Sequence, residues 1–485
     1  MKTRTLLVKA LFSAVFSLMA IVTAKANNVQ ITGTSVSGSN ITFNISWENS
    51  WNASAAPANW DAVWVFVKYQ DCNTKLWAHA DLSSTAADHT AASPLQVDPV
   101  TDGKGVFIRR SAVGGGNIAS TSITLKMSTV SGTANNYKVY GIEMVNVPQG
   151  AFQLGDGVSG YGFSSITVDA NSQSNGLTTG ELGPYSADLQ PSFPMGYNSF
   201  YMMKYEISQE QYADFLNSLT FTQQKNRVVN DPISAAGSYA MFTGYQYRNG
   251  LAIVTPGSNG AIPAVFGTDA TSGTPNSSND GQNVAMNHLS WADLASYLDW
   301  AALRPMTEME FEKAARGTLP RVSGEYPWGS ADITQSNSTQ LTNAKMANEI
   351  SSVTVNNGMC NYGSGTYAAT YGPTRVGMFA TNSSGRLSAG AGYYGAMDLG
   401  GNVAERTIAV NADGKDFTGA NGDGNLSSTG FADQASWPDN TTASGITFRG
   451  GDYINPAAYV RTSDRSHLYT SAAARGYNSG GRGVR

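Results

Sequence analysis

Beyond about residue 320 the chain shows no helical periodicity. Gly, Ser and Asn, broken by short aromatic or Arg-containing segments, carry it to residue 485, and this suits a compact domain with much irregular structure. The 52 glycines and a charged fraction of only 13% point the same way, toward loops and strands rather than long helices.

The regular elements come earlier. Between residues 29 and 140 short runs alternate at period two, as in 41–47, 62–67 and 122–127, with Gly, Asn, Ser and Pro between them. That pattern predicts half-buried antiparallel strands and a β-sandwich-like domain over 27–140, with no chemistry of its own and the part of a spacer or adhesion-like module. From residue 141 helix starts become legible. Ser208 with Gln211 has the capping-box spacing ahead of Tyr212, Phe215, Leu216 and Leu219; Ser290 with Asp293 and Thr307 with Glu310 repeat it. The stretch 268–281 is expected to be a surface loop.

Residues 1–26 have a positive start, a short apolar run from Leu11 to Val22 and the small-residue site Ala24-Lys25-Ala26, which together predict a secretory signal. A membrane anchor is the alternative, disfavoured because the run is shorter than the ~18–20 residues a bilayer requires. The mature chain is therefore expected to be secreted, periplasmic or on the cell surface, with no transmembrane segment. A net charge of −5 and the lack of a dense basic run argue against a nucleic-acid partner. Only Cys72 and Cys360 are present, too far apart to define a disulfide framework, and buried apolar thiols are the expectation over a functional pair. His79, His89, His288 and His467 lack ligand spacing for zinc or iron.

Five blocks then carry a resemblance: Met144–Gly155, Tyr201–Ser208, Arg304–Gly317 with Tyr326-Pro327-Trp328-Gly329, Tyr394–Glu405, and Phe448–Tyr453. In that order they resemble the formylglycine-generating enzymes, the sulfatase-modifying factor family. The resemblance implies an α+β fold: a C-type-lectin-like domain over 141–485, rich in irregular structure, preceded by the sandwich-like domain. It also implies an oxidase that uses a cysteine pair, and those places fall at Asn455 and Val460. Neither can supply the thiolate that binds a soft metal or exchanges with a substrate thiol, so no catalytic residue and no copper are expected. Calcium is the cofactor the resemblance does carry over. One site would take Asp398, the carbonyls of Gly401 and Val403, and Glu405; a second would take Asn348 and the carbonyl of Glu349. Hard oxygen ligands suit Ca²⁺, although Ala404 and Arg406 replace the aromatic residues usual there.

The segment 449–485 mixes Tyr, Asn, Ser, Asp, His and Ala between arginines and glycines. Tyr, Ser and Asn are paratope residues, offering broad rigid contacts and adaptable hydrogen bonds. The composition is also similar to the variable C-termini of retroelement-diversified proteins. Tyr453, Asn455, Ala457, Tyr459, Asp464, His467, Tyr469 and Tyr477 are the expected ligand-facing residues, with the arginines as scaffold. The function expected is non-catalytic recognition of an extracellular protein or glycan. The alternatives are an oxidoreductase with a different active site on the same scaffold, and a structural part of an envelope or motility assembly.

Overall fold

Residues 28–485, apart from 259, 272, 356, 366, 367 and 382, are described by a computed structural model; the expected signal segment 1–26 lies outside the described residues. The period-two runs form strands β1 (Gln30–Ser37), β2 (Asn40–Asn52), β3 (Asp61–Asp71), β4 (Trp77–Ala80), β5 (Thr90–Ala91), β6 (Leu95–Pro99), β7 (Val106–Arg110), β8 (Gly114–Lys126) and β9 (Ala134–Val147). One antiparallel sheet has the order β1-β2-β8-β5. Its apolar face, with Ile41, Phe43, Ile45 and Trp47 of β2 and Ile123 and Leu125 of β8, packs on Val63, Val65 and Val67 of β3 in the neighbouring sheet.

β3 departs from the half-buried expectation, because both of its faces are covered. Ala62, Trp64 and Phe66 point away from the first sheet into the main core, where Phe66 meets Trp300 edge-on at 5.1 Å and the Trp64 indole N–H donates to the Ala301 carbonyl at 2.8 Å. The cover comes from more than 200 residues downstream, so the local alternation could not announce it. The run 62–67 is apolar at every position, as a doubly buried strand requires.

β9 runs through the expected domain boundary at 140/141. One edge pairs with β3 from Val145↔Asp61 to Ala134↔Asp71. The other pairs, at its C-terminal end, with Phe200–Met203. That strand in turn meets a two-residue strand at Gly483–Val484, which pairs with Arg304–Pro305. A single eight-stranded sheet therefore carries both parts of the chain. Residues before 140 do not stand off as a spacer: Asn59 Nδ2 donates to the Asn146 and Tyr394 carbonyls, and the Arg485 guanidinium lies 4.2 Å from the Trp64 ring centroid.

The helices are α1 (Ala170–Asn175), α2 (Thr179–Leu182), α3 (Gln209–Leu216), α4 (Phe221–Arg227), α5 (Trp291–Trp300) and α6 (Glu308–Arg316). All three expected capping boxes form, at Ser208–Gln211, Ser290–Asp293 and Thr307–Glu310, and each cap contributes about 1 kcal/mol. α5 is buried on every side. Among the described residues no α-helix follows α6, and no helix is long and apolar enough to cross a membrane. The expected loop 268–281 is largely exposed between Thr271 and Asn279.

Candidate functional site: a C-terminal surface on an arginine–carboxylate frame

Spacing of four residues on α6 sets Glu308, Glu312 and Arg316 in register, all of them buried. Glu308 Oε1 accepts from Arg449 Nη1 at 3.2 Å and Arg465 Nε at 2.8 Å, and its Oε2 accepts from Arg465 Nη2 and the Val410 N–H, both at 2.8 Å. Glu312 binds Arg449 at 2.9 Å and Arg316 at 3.0 Å, and Arg316 goes on to Glu325. Burial pushes the Glu308 carboxyl up, but Arg465 and Arg449 more than offset it and hold it below the ordinary carboxylate range. Arg482 forks onto both oxygens of Glu405 at 2.8 and 2.7 Å, and Arg475 pairs with Asp293 of α5 at 2.7 Å. The arginines of 449–485 are thus largely consumed as scaffold, and the side chains between them are left to face outward or inward as the turns dictate.

Positions 455 and 460 lie in a 3₁₀ turn and its approach. Val460 is fully buried against Tyr326, Trp328 and Cys360. Cys360 therefore sits beside one of the two places where the family's cysteine pair would fall. It is a lone, buried thiol that donates to the Gly400 carbonyl at 3.1 Å, and burial, with Asp398 and Glu206 nearby, pushes its pKa well up. Asn455 gives its carbonyl to the Gly363 N–H and its side-chain oxygen lies 3.3 Å from His467 Nε2. Cys72 is exposed and free. This site lacks the paired, ionisable sulfurs that dithiol oxidation needs.

The expected ligand-facing residues divide. Tyr469 is 75% exposed; Asn455, Ala457, Tyr459, His467 and Tyr477 are half-buried. Tyr459 and His467 rings meet at 5.0 Å, and Tyr477 stacks on Tyr247 at 4.8 Å. Tyr453 and Asp464 are corrections. Tyr453 is buried, with its hydroxyl directed at the Tyr477 carbonyl; Asp464 is buried and accepts from Ser466. Composition alone gives no facing, and both residues lie in buried stretches, Tyr453 between Asp452 and Ile454 and Asp464 between Ser463 and Arg465. Tyr161 and Tyr185 were missed. They are 44% and 41% exposed and pack edge-on at 4.7 Å, and Tyr161 meets Tyr469 at 6.0 Å. No local signal marked them; Arg465 holds both of their carbonyls at 3.4 Å across about 300 residues. Asp452 was also missed: it ties the Ile454 and Asn455 N–H groups to the Asn478 side chain, and burial pushes its carboxyl up to about 6.

Residues 131–485 match the family model of the sulfatase-modifying factor enzyme 1-like domain. The chain belongs to that family. The match starts ahead of the expected residue 141 and takes in all of β9. A formylglycine-generating enzyme of Thermomonospora curvata is 40% identical over 70 residues, a match that covers 14% of this chain and 22% of that relative's length.

The two calcium sites implied by the family resemblance differ in fit. At the first, Asp398, Glu405 and Glu206 are all buried; burial comes first in pushing each carboxyl up, and Asp398 adds repulsion to both glutamates. Arg482 pairs with Glu405 and acts on Glu206 and Asp398 at longer range, and Arg375 acts on Asp398 more weakly still. Left-handed Asp398, Gly401 and Asn402 (φ 57°, 74° and 59°) coil the backbone between the ligands. The buried carboxylates outnumber the cations in contact with them, and a divalent cation would take oxygens of Asp398, Gly401, Val403 and Glu405, the last only by displacing Arg482 from one of the two oxygens it holds. The second site does not fit. Glu349 is paired with Arg248 and accepts from the Arg375 N–H, and its carbonyl already accepts from Arg375 Nε at 2.8 Å. Asn348 is half-buried beside a carboxylate already balanced by arginine.

Proposed function

We propose that this family member is an exported, non-catalytic recognition protein, with an extracellular protein or glycan as its ligand. The burial of Val460 against a single protonated thiol carries this reading, because the reaction of the formylglycine-generating enzymes needs two reactive sulfurs. The domain is read as C-type-lectin-like, and the N-terminal sheets as a sandwich fused to its edge. The recognition surface centres on Tyr469 with Tyr161 and Tyr185, flanked by Asn455, Tyr459, His467 and Tyr477. Aromatic rings over a buried arginine frame give rigid contact area at low entropic cost. Such a surface tolerates sequence change between the arginines, which agrees with diversification of 449–485. Calcium at the first site supplies charge balance to the loop 398–405 and takes no part in chemistry. Tyr469→Ala and His467→Ala should keep the unfolding midpoint and lose capture of the ligand selected from an array of extracellular glycans and surface proteins. Unchanged capture by every substitution across 455–477 would contradict the assignment.

A further inference from the structure

A cavity that shares no lining residue with the C-terminal surface lies in the seam between the N-terminal sheets and residues 380, 381 and 384–397. Its volume is about 340 Å³, inside the ~300–1,000 Å³ range of small-molecule sites. Trp51, Tyr205, Tyr393, Tyr394 and Met397 give it largely apolar walls. The walls are held from both sides. Trp51 Nε1 donates to Asn59 Oδ1 at 3.2 Å, and Asn59 Nδ2 donates to the Tyr394 carbonyl at 2.8 Å. Gly395, at φ +92°, lets the Trp51 ring cross it, since a Cβ there would come within 2.9 Å of that ring.

Two cations line this cavity. Lys204 is neutralised by Glu143 at 3.0 Å. Arg386 has no carboxylate within ion-pair distance among the described residues. Its Nη2 donates to the Ala315 and Pro327 carbonyls, both at 2.7 Å, its guanidinium carbon lies 5.3 Å from the Tyr393 ring centroid, and its Nε is removed from solvent without a partner. Burial lowers the guanidinium to about 10, so it stays charged at neutral pH. Glu325 attracts it only beyond ion-pair distance and is already paired with Arg316; a partly desolvated guanidinium with no carboxylate in contact is satisfied best by a carboxylate, and aromatic walls reward an apolar body attached to it.

We infer that this cavity binds a small amphipathic monoanion, an aryl- or alkyl-carboxylate, with its charge at Arg386 and its apolar part against Trp51, Tyr393 and Tyr394. The site is independent of the recognition surface around Tyr469. Isothermal titration of the full chain with 4-phenylbutyrate, and with its neutral amide as the matched control, tests this. The wild type should bind the carboxylate at least tenfold more tightly than the amide. Arg386→Gln should erase that preference while leaving amide binding in place, and Ala380→Leu, which adds bulk to the cavity wall, should abolish both without lowering the unfolding midpoint. Tyr469→Ala should change neither. Absence of carboxylate binding by the wild type, equal binding of acid and amide, a preference retained in Arg386→Gln, or binding retained in Ala380→Leu would each overturn the inference.

Discussion

Glu308→Gln probes the frame beneath the recognition surface while preserving side-chain shape. The change removes a charge that contacts Arg449 once and Arg465 twice, in a place where all three side chains are fully buried, and it turns an amide N–H₂ toward guanidinium donors. Arg449 keeps Glu312 and the Thr462 carbonyl. Among the described residues Arg465 keeps only contacts at 3.4 Å to Tyr161, Tyr185, Ser186 and Val410, and the face of Phe163 at 3.9 Å. Stranding one partner of a buried ion pair costs about 3–5 kcal/mol, and the loss is readable as a lower urea midpoint at unchanged slope. The paired change Glu308→Gln with Arg465→Met should cost less than the sum of the singles by about 1–3 kcal/mol. The Glu308 carboxyl is held below its ordinary 4.5, so its stabilisation is complete above that value and fades as pH falls through the depressed folded value. Wild type and Glu308→Gln should therefore converge in acid. A single-mutant cost below about 1 kcal/mol, additive losses, or a gap that persists in acid would refute the reasoning.

Burial pushes Asp299 from 3.8 to about 7, with repulsion from Asp423 and Asp433 adding to it. The folded state then binds the extra proton between those values, so stability should fall as pH rises across that window, and Asp299→Asn should flatten the limb in thermal melts at graded pH. Burial lowers the neighbouring Lys68 to about 7, which makes stability rise again with pH above that point and sets a minimum near neutrality. In native protein one of the two thiols, the exposed Cys72, should react with a disulfide reagent, and Cys360 should follow only in denaturant; rapid native reaction of both would contradict the buried position. At 100 times its dissociation constant, calcium should stabilise the fold by about 2.7 kcal/mol, and Glu405→Gln should lose that response; equal midpoints for wild type in calcium and in chelator would remove the metal from the account.

The elements that could be read from residues are those whose signal is local. Ser208, Ser290 and Thr307 announce α3, α5 and α6 because the cap and its partner lie three residues apart. The caps at Asp169, Thr178 and Thr220 have the same geometry, but helices of four to seven residues leave no apolar period to find. The cover on β3, the union of β9 with Phe200–Met203 and the proximity of Cys360 to Val460 all depend on contacts between distant residues, which one sequence does not display. The same limit explains the C-terminal surface. That arginines brace 449–485 followed from composition, whereas Tyr453 and Asp464 turn inward and Tyr161 and Tyr185 join from two separate loops some 300 residues upstream.

The central claim is that a fold of this family has kept its frame without dithiol chemistry, and it is tested most directly by incubating purified, copper-loaded protein with a cysteine-containing sulfatase peptide under oxygen. Mass spectrometry should find the peptide cysteine intact at every time point. Conversion of that cysteine to formylglycine, lost on Cys360→Ala, would show that the buried thiol beside Val460 is a working catalyst and would contradict the account.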